Sequence, residues 1–175
     1  ALSYPTGGVI AGQAAVVNLN GSTQADMEVN GTAALVINFP RVAAGGGGFG
    51  GGFGGGFGQQ QQDFNELVRR RDTQIDELKK MFTAAINHGR AVDAYAKDKT
   101  IPAPMTNLSL ESLVPFARGE KPILFTAERE RDIRAIAKFV SEMKVKGIVV
   151  GGQEAWKAAD VLKANNIAVI YTNMY

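Results

Sequence analysis

Between Ile123 and Ile170 the chain alternates three short apolar runs with two amphipathic stretches, and few architectures accept that order. The runs are Ile123-Leu124-Phe125, Ile148-Val149-Val150 and Ile167 to Ile170. Between them, Glu128 to Met143 carries Ile133, Ile136, Val140 and Met143 at helical spacing, and Glu154 to Ala164 carries Trp156, Ala159 and Leu162. Each reads as a helix. Taking Leu124, Val149 and Val169 as equivalent strand positions gives spacings of 25 and 20 residues, which suit right-handed crossovers onto a parallel sheet. Runs that are apolar throughout, rather than alternating, suit a sheet covered on both faces.

Upstream, Leu108 to Arg118 reads as a helix that stops at Gly119, with Pro115 implying a kink or a later start. A longer helix precedes it. Phe64, Leu67, Val68, Ile75, Leu78, Phe82, Ala85, Ile86 and Val92 recur at helical spacing, and Asp63 with Glu66 forms a capping box. Carried to Lys97, that helix would be about 50 Å long, with Gly89 its expected interruption. Near the amino terminus, Ala14 to Leu19 and Ala34 to Phe39 read as strands bounded by Asn20-Gly21 and Pro40. Met27 to Val29 would be a short strand entering a tight turn at Asn30-Gly31.

Eleven of the 21 glycines fall in Gly45 to Gly58, a period-four repeat carrying Phe49, Phe53 and Phe57 and followed by Gln59 to Gln62. Glycine this dense loses much entropy on ordering and offers few side chains to bury, so the tract reads as a flexible insert. Three segments result: a β-rich part over 1–44, a Gly/Phe- and Gln-rich insert over 45–62, and over 63–175 the long helix followed by strand-helix repeats.

Charge and residue usage narrow the chemistry. Nineteen basic and seventeen acidic residues leave a net charge of +2, with no field for nucleic acid. Arg69-Arg70-Arg71 has Glu66, Asp72, Asp76 and Glu77 within a turn or two, so it reads as part of a mixed-charge solvated face. No run approaches the length of a membrane span. Cysteine is absent, which removes thiolate nucleophiles and thiolate metal sites. His88 is the sole histidine, so a site built from several imidazoles cannot be assembled, and a structural role is the expectation for it.

In a parallel α/β sheet, chemistry belongs at the carboxyl ends of strands and in the loops that follow. Here those are Thr126-Ala127-Glu128, Gly151-Gly152-Gln153-Glu154 and Tyr171-Thr172-Asn173. Thr126 is placed to cap the next helix, with Glu128 complementing the helix dipole. Gly151-Gly152 reads as a tight strand-to-helix turn, because the rest of a phosphate-binding fingerprint is missing.

Two stretches also carry a family resemblance. Gly7 to Gly21 running on to Ala34-Leu35-Val36-Ile37-Asn38-Phe39-Pro40 is similar to the interior of imidazolonepropionase-like members of the metal-dependent amidohydrolase superfamily. So are Leu113 to Glu120, Pro122 to Glu128, Asp132-Ile133 and Val150 to Trp156. The resemblance implies part of a (β/α)₈, TIM-like barrel, and hydrolysis of non-peptide, often cyclic, carbon–nitrogen bonds by water activated on a divalent metal such as zinc. It also implies that the His-x-His pair of the first barrel strand and the aspartate of the last lie outside Ala1 to Tyr175. At the two matched positions where active relatives place metal-binding histidines, this chain has Thr126 and Gly151.

The sequence therefore assigns no catalytic, cofactor-binding or metal-binding residue. It predicts an amidohydrolase-like chain without a catalytic centre of its own, or a non-catalytic structural or binding subunit. The expected partner is a companion chain or a second copy that completes the barrel, with neither nucleic acid nor membrane involved. By resemblance the setting is periplasmic or secreted. Deleting Gly45 to Gln62 is expected to leave cooperative unfolding intact, with a thermal midpoint within a few degrees of the parent by calorimetry.

Overall fold

The computed structural model describes residues 1–42 and 64–172, so the insert and the Asp63 half of the capping box lie outside the described residues. Among the described residues, six strands form one sheet in sequence order: β1 (Leu2–Ser3), β2 (Ile10–Val17), β3 (Glu28–Asn38), β4 (Pro122–Ala127), β5 (Lys146–Gly151) and β6 (Ala168–Tyr171). The pairs β3–β4, β4–β5 and β5–β6 are parallel, as the strand-helix-strand pattern predicts. The pairs β1–β2 and β2–β3 are antiparallel. The result is a mixed α/β fold made mostly of parallel βα units, a portion of a barrel.

Strand register corrects one expectation. Leu124 pairs with Ile148, not Val149, while Val149 does pair with Val169. A one-residue shift reverses the face a side chain occupies. Leu35, Ile37, Ile123, Phe125 and Val149 accordingly share the helix-covered core, whereas Ala14, Ala34, Val36, Leu124 and Val150 form a second cluster on the opposite face.

The Asn30-Gly31 turn is not formed. Glu28 to Asn38 runs as one strand, and neither Asn30 nor Gly31 has the positive φ that such a turn needs. The chain reverses instead through a short helix α1 (Gln24–Met27), where the Thr23 hydroxyl accepts the Asp26 N–H at 3.2 Å.

Between β3 and β4 come helices α2 (Phe64–Lys97) and α3 (Leu108–Ala117). The first is unbroken through Gly89, against the sequence expectation. Gly89 is buried because α3 crosses there: a Cβ would lie 2.7 Å from Arg118 Nη2 and 2.9 Å from Val114 Cγ1. Close helix approach outweighs the propensity penalty of glycine. Arg118 bonds across the gap to Asp93 at 2.6 Å, and His88 Nε2 lies 3.5 Å from Glu111 Oε1. The sole histidine thus belongs to the α2–α3 contact. The α3 helix starts at Leu108 with Asn107 as its cap, despite Pro115 inside it. It ends ahead of Gly119, whose φ of +69° fits the expected stop.

Helix α4 (Glu130–Met143) connects β4 to β5, and a single 3₁₀ turn (Ala155–Ala158) followed by α5 (Ala159–Ala164) connects β5 to β6. The stretch from Glu154 is therefore two short elements rather than one helix. Because Gly89 fills a crossing point, Gly89→Leu is expected to destabilise the fold by about 1–3 kcal/mol in urea titrations. At an exposed helical glycine, a helix-forming side chain would instead gain up to about 1 kcal/mol.

Candidate functional site

Parallel pairing brings the carboxyl ends of three strands side by side, with Asn38 opposite Thr126 and Thr126 opposite Val150. Asn38 is a polar residue ending an otherwise apolar run, and its amide is fully used. Its Nδ2 donates to Thr6 O at 2.8 Å and Gly8 O at 2.7 Å, while its Oδ1 accepts the Thr126 hydroxyl at 2.8 Å. Thr126 therefore does not cap the next helix. That helix begins two residues later than expected, and its N-cap, Arg129, makes no side-chain cap bond.

The cap comes from the neighbouring loop. Glu154 Oε2 accepts the Glu130 N–H at 2.9 Å, and Glu154 Oε1 takes Lys157 Nζ at 2.7 Å. Lys157 first, and the Glu130 N–H with it, hold the Glu154 carboxyl below the ordinary glutamate range. Arg134 extends the network to Glu130 at 2.8 Å and Asp160 at 3.1 Å. Its hydrogen bond lowers the Asp160 carboxyl in the same way.

Gly151 and Gly152 make the expected tight turn, with φ of +102° and +67°. The Gly152 N–H donates to Ala127 O at 2.7 Å, and the Gln153 N–H donates to Glu128 Oε2 at 3.2 Å. A Cβ on Gly151 would collide with the Glu128 carboxylate. The position that a phosphate would take at this turn is thus filled by the chain's own Glu128.

Beside these strand ends lies a cavity of about 370 Å³. Phe39, Val42 and Ala127 supply apolar wall, Thr126 and Glu128 one polar side, and Arg41 and Arg129 the exposed rim. Asp132 lines it as well and is only 5% exposed. Among the described residues its fully buried Oδ1 has no hydrogen-bond partner, and Arg131 Nε forms an ion pair with it at 3.6 Å. Asn38, Arg41 and Asp132 had no place among the sequence candidates. For Asp132 a signal existed, since it shares the buried helical stripe of Ile136 and Val140.

The donor set does not suit zinc. Thr126 offers a hydroxyl already committed to Asn38, and Gly151 has no side chain. Among the described residues, no group of three His, Cys, Asp or Glu side chains is placed to hold a metal ion.

No family model matches this sequence, and no curated protein matches it either. A crystal structure of an amidohydrolase from Thermotoga maritima MSB8 superposes on 95% of the chain with a TM-score of 0.70 and 19% sequence identity. The two share a fold. The match covers 39% of the Thermotoga chain, so the present sequence spans about two fifths of that length.

A carboxyl held low in the folded state contributes stability above its unfolded range, and that contribution is lost as pH falls through the folded value. Glu154→Gln is accordingly expected to lower the urea midpoint at neutral pH, and the deficit to vanish in acid below the carboxylate range. Paired titrations of the two proteins check this.

Proposed function

We propose that the chain is a portion of an amidohydrolase-type barrel with no catalytic centre of its own, acting together with a companion chain or a second copy that completes the sheet. The observation that carries this reading is strand β6. Its four residues are all exposed, including Val169 at 37%, Ile170 at 38% and Tyr171 at 57%. It pairs only with β5 among the described strands, leaving one edge of its ladder open. An exposed apolar edge is a template for another strand, and barrels remove such edges by closing. The shared fold with a longer amidohydrolase supports the same view.

The finer kinship, to imidazolonepropionase-like enzymes, rests on the matched stretches around Asn38-Phe39-Pro40 and Thr126-Ala127-Glu128. Hydrolysis of a cyclic carbon–nitrogen bond on a divalent metal would then need ligands from other segments or a partner chain, because Thr126 and Gly151 supply none. A non-catalytic binding or structural subunit is the second reading. It is favoured by Asn38, Thr126 and Glu128, which spend their polar atoms on the chain itself.

Sedimentation at several concentrations, with metal analysis of the assembled species, tests both. Reversible self-association, or retention of a companion chain, is expected. A single monomeric species at every concentration would reject the assembly. Stoichiometric metal held by this chain alone would reject the missing centre.

A further inference from the structure

We infer that Asn20 is a site of spontaneous modification: the backbone nitrogen of Gly21 closes on the Asn20 side chain and residue 20 becomes aspartate or isoaspartate, while Asn30-Gly31, the same pair of residue types, is spared. The sequence holds these two Asn-Gly pairs and no other. The fold separates them.

The step balances within the chain. The Gly21 nitrogen, losing its proton, attacks Cγ of Asn20; a C–N bond forms, the side-chain nitrogen leaves as ammonia, and a five-membered imide remains. Water then opens the imide at either carbonyl, giving the aspartyl product or, with the backbone routed through the former side chain, the isoaspartyl one. Nothing is oxidised or reduced, and water is the co-reactant. Glycine favours the attack because it has no Cβ to crowd the nitrogen.

Asn20 and Gly21 are both exposed, in the irregular link between β2 and α1. Among the described residues, neither the Asn20 carboxamide nor the Gly21 N–H makes a hydrogen bond, so both reacting groups are free. The Asn20 backbone N–H instead donates to Asn18 Oδ1 at 3.3 Å. Closing the ring swings the backbone at Gly21, where a Cβ would lie 2.7 Å from Met27 Cγ. That contact belongs to the four-residue helix α1, and no residue from 18 to 28 joins either buried core cluster. Local opening there costs little of the global stability.

Asn30 is exposed as well, so exposure does not decide between the two. It lies inside β3, paired with Val16, and its Oδ1 accepts the Thr32 N–H at 3.1 Å. The Glu28 carboxylate occupies the space where Gly31 would carry a Cβ. Ring closure at Asn30 must first break pairing with β2.

Peptide mapping by mass spectrometry, on the full-length chain held at mildly alkaline pH, tests this. The peptide containing Asn20 is expected to gain the mass of oxygen over an NH group and to split into two chromatographic forms, one of them a substrate for an isoaspartyl methyltransferase. Asn30 should convert about tenfold more slowly, the rate factor of roughly one hydrogen bond. In urea the two pairs should convert at comparable rates. Asn20→Gln, which would need a six-membered ring, should leave the residue-20 peptide unconverted and Asn30 as before. Equal conversion of both pairs in the folded chain would overturn the inference. So would a folded chain in which Asn20 stays intact while it converts in urea. A difference that persists undiminished in urea would also overturn it, by assigning the preference to flanking sequence and not to the fold.

Discussion

Four phenylalanine rings hold this structure to one arrangement. Phe139 on α4 meets Phe82 of α2 at 5.6 Å, Phe125 of β4 at 5.8 Å and Phe39 beyond β3 at 6.0 Å, and Phe39 meets Phe125 at 6.0 Å. All four contacts are edge-to-face, the orientation that sets a ring's positive edge against a neighbour's negative face. Each such pair adds about 0.5–1.5 kcal/mol beyond the area it buries. The cluster matters more for what it connects than for its sum. It fastens α2 to the sheet and to α4, and it fixes where the chain goes after Asn38. Phe39 sits at once in the core and in the wall of the cavity, so the position of Arg41 and Val42 follows from ring packing behind them.

Around the strand ends, most polar groups are consumed by the protein itself. Asn38 joins the amino-terminal loop to β4 through three hydrogen bonds, and Glu128 closes the Gly151-Gly152 turn. Glu154 caps a helix whose own N-cap residue does not. These are stabilising uses, since buried donors and acceptors left without partners cost more than paired ones contribute. Asp132 is the exception: it is buried, and among the described residues its Oδ1 has an ion pair with Arg131 at 3.6 Å but no hydrogen bond.

Much of the fold was legible because period and length carry the information locally. Ile133, Ile136 and Val140 specify the buried face of α4, and the apolar runs at Leu124, Val149 and Val169 specify parallel strands whichever neighbour each one meets. Where local rules competed with distant contacts, the distant contacts won. Asn30-Gly31 has turn chemistry, yet pairing with β2 keeps it extended. Gly89 looks like a helix breaker, but packing against Val114 makes it a crossing point. Thr126 has the chemistry of a cap, while Asn38, 88 residues away in sequence, takes its hydroxyl.

The sequence alone determined the alternation of strands and helices, the near-neutral charge, and the shortage of imidazole and thiolate donors, because each depends only on residue type and spacing. Tertiary structure decided the register that put Leu124 and Val149 on opposite faces, the antiparallel strands at the amino-terminal side, and the meeting of Arg41, Arg129 and Asp132 around one cavity. Those outcomes turn on which groups become neighbours once the backbone is paired and the core packed, and sequence separation does not encode that proximity.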